Sequence, residues 1–133
     1  LDQKFLVTNA DDICLKSDVT RCLEHDRAML VYQSKGRSPV GVIEVEGGKV
    51  RRVVEGAAAF SDDALISVGV YVLTPDIFDH PMVPKAIGSA EYGLPQTMVA
   101  AFPDGIDAVQ GSFWLSITEP TDIQKVEEVL RKL

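Results

Sequence analysis

With 133 residues, the chain is long enough for one hydrophobic core and too short for two ordinary domains. Hydrophobic content of 46% beside 25% charged residues excludes a disordered chain, and the formal net charge of −7 excludes a nucleic-acid partner gripped through its phosphates, which needs a basic face. No apolar run has the length of a membrane span and no basic-then-apolar leader opens the sequence, so the expectation is a cytoplasmic protein with no membrane partner. Only Cys14 and Cys22 are present, at neither a CxxC nor a metal-site spacing, and they read as reduced thiols without a special role.

Residues 4–8 (KFLVT) read as a buried strand with a β-branched end. The string Asn9-Ala10-Asp11-Asp12 follows at its carboxyl end, which is where an open α/β sheet places its ligand crevice. Two readings of the acid pair stand side by side: a turn that caps the next helix, or hard oxygen ligands for Mg²⁺ shared with substrate phosphates. A helix fits Asp18 to Arg27, with Ser17 as its cap and Val19, Cys22 and Leu23 on one face. Ala28 to Gln33 reads as the next strand, giving a strand–helix–strand unit of the normally parallel, right-handed kind.

Val40 to Val45 and Val50 to Val54 flank Gly47-Gly48, the signature of a hairpin with a tight turn. Its charges, Glu44, Glu46, Lys49, Arg51 and Arg52, suit the rim of a sheet. Ser67 to Leu73 reads as a buried strand in which Gly69 marks close approach by another backbone or by a ligand. A short helical turn after Pro75, a Pro- and Gly-containing loop around residues 80–90 and a helix near Leu94 to Ala101 come next. Strands at Asp107 to Val109 and Ser112 to Ser116 lead to a final helix from Pro120 to Lys132. In that helix Thr121 and Gln124 have capping-box spacing, and Ile123, Val126, Val129 and Leu130 form an apolar stripe.

The blocks NADD, GVIEVEGGKVRRVVE, ISVGVYVLTPDIF, EYGLPQT and FWLSITEPTDIQKVEEVL stand in the order and at about the separations found in sugar-phosphate nucleotidyltransferases. From about Phe5 to its C-terminus the chain resembles the C-terminal two-thirds of that domain. The resemblance implies an α/β fold with a Rossmann-like, mostly parallel sheet and a β-hairpin excursion. It further implies a single partial domain over residues 1–133, a piece of a longer protein, lacking the N-terminal nucleotide-binding strands. Enzymes of this family join an NTP to a sugar 1-phosphate and release pyrophosphate with Mg²⁺. By the same resemblance Asp11 is the metal ligand, with Asp12 in support or as a cap. Gly41, Glu55 and Gly69 face the sugar phosphate, and Trp114 marks the approach to the strand of a second metal-binding acid.

Three departures accompany the matches. No Gly-rich phosphate loop precedes the first strand; the Lys-Pro expected after Glu55 is Gly56-Ala57; and the second metal-binding acid is Ser116. In-line attack on an NTP brings anions together, so lost charge neutralisation is lost catalysis. The isolated chain is therefore expected to be inactive, and to self-associate or to pair with a missing N-terminal segment through an exposed sheet edge. A binding or regulatory homologue that keeps the sugar cleft without turnover is the first rival reading. A phosphoacceptor receiver is the second, at odds with the Gly47-Gly48 hairpin. His25 reads as a helix-end residue and His80 as a solvated loop residue. Asp62-Asp63, Asp104 and Asp107 read as turn acids, and no GxSxG elbow supports a hydrolase. The EYGLPQT segment is expected on the sugar side of the cleft.

Overall fold

The computed structural model describes residues 3–35, 41–55 and 63–133. Strands β1 (Phe5–Thr8), β3 (Ala28–Gln33), β4 (Val42–Glu46), β5 (Lys49–Val54), β6 (Leu65–Leu73) and β7 (Asp107–Gln110) form one sheet in the order β1-β6-β3-β7-β5-β4. A separate ribbon pairs β2 (Asp12–Cys14) with β8 (Trp114–Ser116). Helices α1 (Lys16–Leu23), α2 (Leu94–Ala101) and α3 (Asp122–Leu130), with a 3₁₀ turn at Pro75–Asp79, complete the described elements. Val40, Gly56, Ala57 and Asp62 lie outside the described residues.

The α/β class holds, but the sheet is mixed rather than mostly parallel. Among the described residues only β3 and β7 pair in parallel; β1, β3 and β4 all run antiparallel to β6. The opening strand–helix–strand unit does run parallel, yet β6 is inserted between its two strands. Apolar periodicity reports which faces are buried and does not identify the neighbour. The mixed arrangement also departs from the strict βα alternation of a receiver.

The alternation itself is followed closely. Ala28, Leu30 and Tyr32 of β3 join Ile66, Val68, Val70 and Val72 of β6 in one core, beneath Cys22 and Trp114. Met29 and Val31 join Tyr71 and Leu73 in the opposite core, against Met98, Phe102 and Ile106. Both faces of β3 and β6 are thus covered, which is why these strands read as continuous apolar runs.

The Gly47-Gly48 turn has φ of +59° and +76°, the positive pair that a type I′ hairpin turn demands. Glu44, Glu46, Arg51 and Arg52 face solvent as expected, while Ile43 and Val50 are buried. The hairpin is not a rim appendage, however. Val42 pairs with Ile66 and Lys49 with Asp107, so β6, β3, β7, β5 and β4 close into a ring. On β1, hydrogen bonding among the described residues is confined to the side facing β6.

Two helices differ from the sequence reading at their ends. Helix α1 starts at Lys16 after an uncapped Leu15 and stops at Leu23, which is 41% exposed instead of sharing the buried face of Cys22. Ser17 lies inside the first turn, and the Asp18 carboxylate reaches across to Ser112. Helix α3 has Thr121 at its N-cap position but no side-chain cap bond; instead Asp122, its first residue, accepts from the backbone N–H groups of Thr118 and Glu119 and ties the preceding loop to the helix. Of its apolar stripe only Val126 is buried.

Candidate functional site

The chain leaves β1 at Thr8, makes one turn through Asn9, Ala10 and Asp11, and enters β2 at Asp12. Pairing of β2 with β8 puts Asp12 directly opposite Ser116, and the Ile117 N–H donates to the Asp11 carbonyl at 2.9 Å. The acid pair is therefore fixed by a two-stranded ribbon that ties the tip of β1 to the strand before α3.

The two acids are not equivalent. Asp12 accepts from the Trp114 indole (Nε1 to Oδ1, 2.8 Å) and from the Asn9 amide (Nδ2 to Oδ2, 3.0 Å), so both its oxygens are engaged. Asp11 is exposed, and its side chain has no hydrogen-bond partner among the described residues. Asp11 is thus open to an incoming ligand, and Asp12 is held in place beside it.

Gly69 sits under this pair with φ of +74°. Between the pairs Met29–Tyr71 and Val31–Ser67 the register shifts, so β6 bulges at Gly69, as bulges with a left-handed Gly do. A Cβ there would lie 2.3 Å from Asn9 Nδ2 and 2.5 Å from Asp12 Oδ2. The close approach expected at Gly69 is therefore made by two side chains of this chain. The Asn9 N–H donates to the Gly69 carbonyl at 2.8 Å and completes the clamp.

Across the cleft stands a second cluster. Glu55 accepts from Gln96 Nε2 at 2.7 Å, and Gly41, at φ +94°, backs the same carboxylate, since a Cβ would come within 3.1 Å of Glu55 Oε1. Gly41 and Glu55 are thus brought together, with Glu55 on the cleft wall and Gly41 behind it. The EYGLPQT segment supplies the rest of that wall. Gly93 precedes α2, Pro95 fills its first turn, and the Thr97 hydroxyl donates to the Gly93 carbonyl.

The cleft between the clusters has a volume of about 790 Å³, and Asp11, Asp12, Glu55, Gly69, Gln96 and Ser116 all line it. Ser67 and Tyr71 form its floor, with their hydroxyls 2.7 Å apart. Burial pushes the Tyr71 phenol up, so it stays protonated near neutral pH; the Ser67 hydrogen bond only partly offsets this, and the Asp12 charge adds to it. Lys85 is the one cation among the described lining residues. No local signal marks it, because it reaches the cleft through pairing of its loop with the segment before α2.

The other candidates lie elsewhere. His25 Nδ1 is 2.9 Å from Asp107 Oδ2, and Asp107 also accepts from Lys49 at 2.6 Å, away from the cleft. His80 stands edge-on to Phe102. Burial pushes both Cys14 and Cys22 up to about 11, with the Asp12 and Asp18 charges adding to it at Cys14, so neither supplies a thiolate nucleophile at neutral pH. No group of three His, Cys, Asp or Glu stands at metal-holding distance among the described residues. Mg²⁺ is commonly held by one or two carboxylates together with substrate phosphates, and the open Asp11 beside the anchored Asp12 fits that mode, not an all-protein cage.

No family model matches this chain, and no curated protein matches it. Solved structures do. HddC from Yersinia pseudotuberculosis aligns with a TM-score of 0.62 at 23% identity, covering 96% of this chain and 56% of that one. A putative glucose-1-phosphate thymidylyltransferase from Bacillus anthracis aligns at 0.67 and 14% identity, covering 99% and 56%. The inositol-1-phosphate CTP transferase from T. maritima aligns at 0.65 and 16% identity, again covering 99% and 56%. The resemblance to sugar-phosphate nucleotidyltransferases thus holds at the level of the fold, and the chain spans about 56% of the length of these structures.

Proposed function

We propose that this chain forms the sugar-phosphate side of a nucleotidyltransferase that moves a nucleotidyl group from an NTP to a sugar 1-phosphate and releases pyrophosphate. The observation that carries the reading is one cleft lined both by an open acid and by a hydrogen-bonded Glu–Gln pair. Asp11 lies beside the anchored Asp12, and Glu55 is joined to Gln96 across from them. The fold shared with a glucose-1-phosphate thymidylyltransferase and an inositol-1-phosphate CTP transferase supports it.

In this reading Asp11, with Asp12 in support, would hold Mg²⁺. The ion would supply neutralisation of the substrate phosphates. Asp12, fixed by Trp114 and Asn9, keeps the tip of β1 rigid and its charge aimed at the cleft. Glu55 accepts and Gln96 donates, a combination that recognises adjacent sugar hydroxyls. The Ser67 and Tyr71 hydroxyls offer further bonds from the floor. The chain spans about 56% of the length of the structures it resembles, and in this account the nucleotide's phosphate cradle belongs to the part it does not cover. The isolated chain is accordingly inactive in this account.

The test is Mg²⁺-dependent pyrophosphate release by the full-length protein with a panel of NTPs and sugar 1-phosphates. Asp11→Ala is expected to abolish it, and wild-type turnover in that variant removes the assignment of Asp11. One observation favours a binding homologue as the second reading. The residue paired with Asp12 is Ser116, so the cleft floor carries one carboxylate fewer than the resemblance implies. Sugar-phosphate binding by the full-length protein without pyrophosphate release is the result that reading expects.

A further inference from the structure

The cleft is lined by the carboxylates of Asp11, Asp12 and Glu55, an unfavourable lining for a phosphorylated ligand unless a cation offsets it. Among the described lining residues only Lys85 is basic. Its position is built, not incidental. The Lys85 N–H donates to the Glu91 carbonyl at 2.9 Å, and Pro84 pairs with Tyr92, so the lysine's backbone is strapped to the segment that starts α2. The missing side chain at Gly93 makes room for it: a Cβ there would lie 3.1 Å from Lys85 Cγ and 1.8 Å from Gln96 Oε1.

The Lys85 ammonium donates to Glu91 Oε2 at 2.9 Å, and both side chains are largely exposed, at 48% and 73%. A pair this open contributes little and is readily exchanged for a stronger acceptor. The Glu91 hydrogen bond, then the Glu91 charge and the more distant Glu55, hold the lysine above its ordinary range, so it stays cationic.

We propose that Lys85 is the phosphate-binding cation of this cleft, exchanging Glu91 for the ligand's phosphate while the neighbouring Gln96–Glu55 pair takes the sugar. A phosphate is a dianion with several acceptors, and a lysine meets it as a mobile point charge without demanding bidentate geometry. The cation thus reaches the cleft from the loop before α2 and not from the position after Glu55, which is Gly56. The ligand class is a sugar phosphomonoester. This rests on the proposed function for the sugar but not for the reaction.

Calorimetry on the full-length protein tests it, with glucose 1-phosphate, inositol 1-phosphate and inorganic phosphate as probes at low and moderate salt. Lys85→Gln is expected to weaken binding of the sugar phosphates at least tenfold, Lys85→Arg to restore most of it, and Glu91→Gln to tighten it. Lys125→Gln, an exposed change of the same charge on α3, is expected to leave binding unaltered and controls for net charge. Equal affinity in wild type and Lys85→Gln overturns the proposal, as does failure of all three probes to bind the wild type. Pyrophosphate release is read separately. A wild-type protein that binds through Lys85 and never turns over removes the proposed reaction and leaves this site standing.

Discussion

Replacing Gly69 with Ala strikes the site where the backbone and two functional side chains meet. The residue holds φ of +74°, a left-handed conformation costing a side-chain-bearing residue about 1–2 kcal/mol. The added Cβ would also lie 2.3 Å from Asn9 Nδ2 and 2.5 Å from Asp12 Oδ2, so those groups must part. Their hydrogen bond to a charged acceptor is worth about 1.5–3 kcal/mol, less what water returns at this half-open position. The expected destabilisation is therefore about 2–4 kcal/mol. Gly48→Ala supplies the control: its φ is +76°, but a Cβ there meets nothing within 4 Å, so only the backbone cost of about 1–2 kcal/mol applies. Urea unfolding followed by fluorescence measures both. Trp114 is the only tryptophan and donates to Asp12, so native-state emission reports the displaced carboxylate directly. Gly69→Ala should shift that emission and Gly48→Ala should not. Equal destabilisation by the two variants, with unchanged emission, refutes the clamp of Asn9, Asp12 and Gly69.

Burial favours protonation of Asp18, but the hydrogen bonds from Arg21 and Ser112 outweigh it and hold its carboxyl below the usual value of 3.8. Because the folded state depresses this pKa, the contribution is present above pH 3.8 and fades as pH falls through the folded value. Asp18→Ala should therefore cost about 2–3 kcal/mol at pH 7, and its deficit relative to wild type should shrink below pH 3.8; a deficit independent of pH speaks against it. Ser116→Asp puts a carboxylate opposite Asp12 and should tighten Mn²⁺ binding, read by electron paramagnetic resonance, at least tenfold; unchanged affinity moves the metal away from the floor of the cleft.

The parts of the molecule legible in its sequence are those set by local chemistry. The apolar runs of β3 and β6, the Gly47-Gly48 turn and the segment before α2 depend on neighbours a few residues away. The ribbon of β2 and β8 does not. Each strand is three residues long and is a strand only because Asp12 meets Ser116 from far along the chain. The same distance hid the roles at the site: Trp114 decides that Asp12 is the anchored acid and Asp11 the open one. A Gly inside the apolar run of β6 signals close approach, but what approaches it depends on a bulge set by pairing with β3. Lys85 carries no mark at all, since a lysine in a polar loop becomes a cleft residue only when that loop is strapped to α2.

The central claim is tested most directly by supplying the full-length protein with NTPs, sugar 1-phosphates and Mg²⁺ and measuring pyrophosphate. The account predicts release that requires all three components and disappears in Asp11→Ala. Saturable sugar-phosphate binding with no pyrophosphate from any pair of substrates would contradict it.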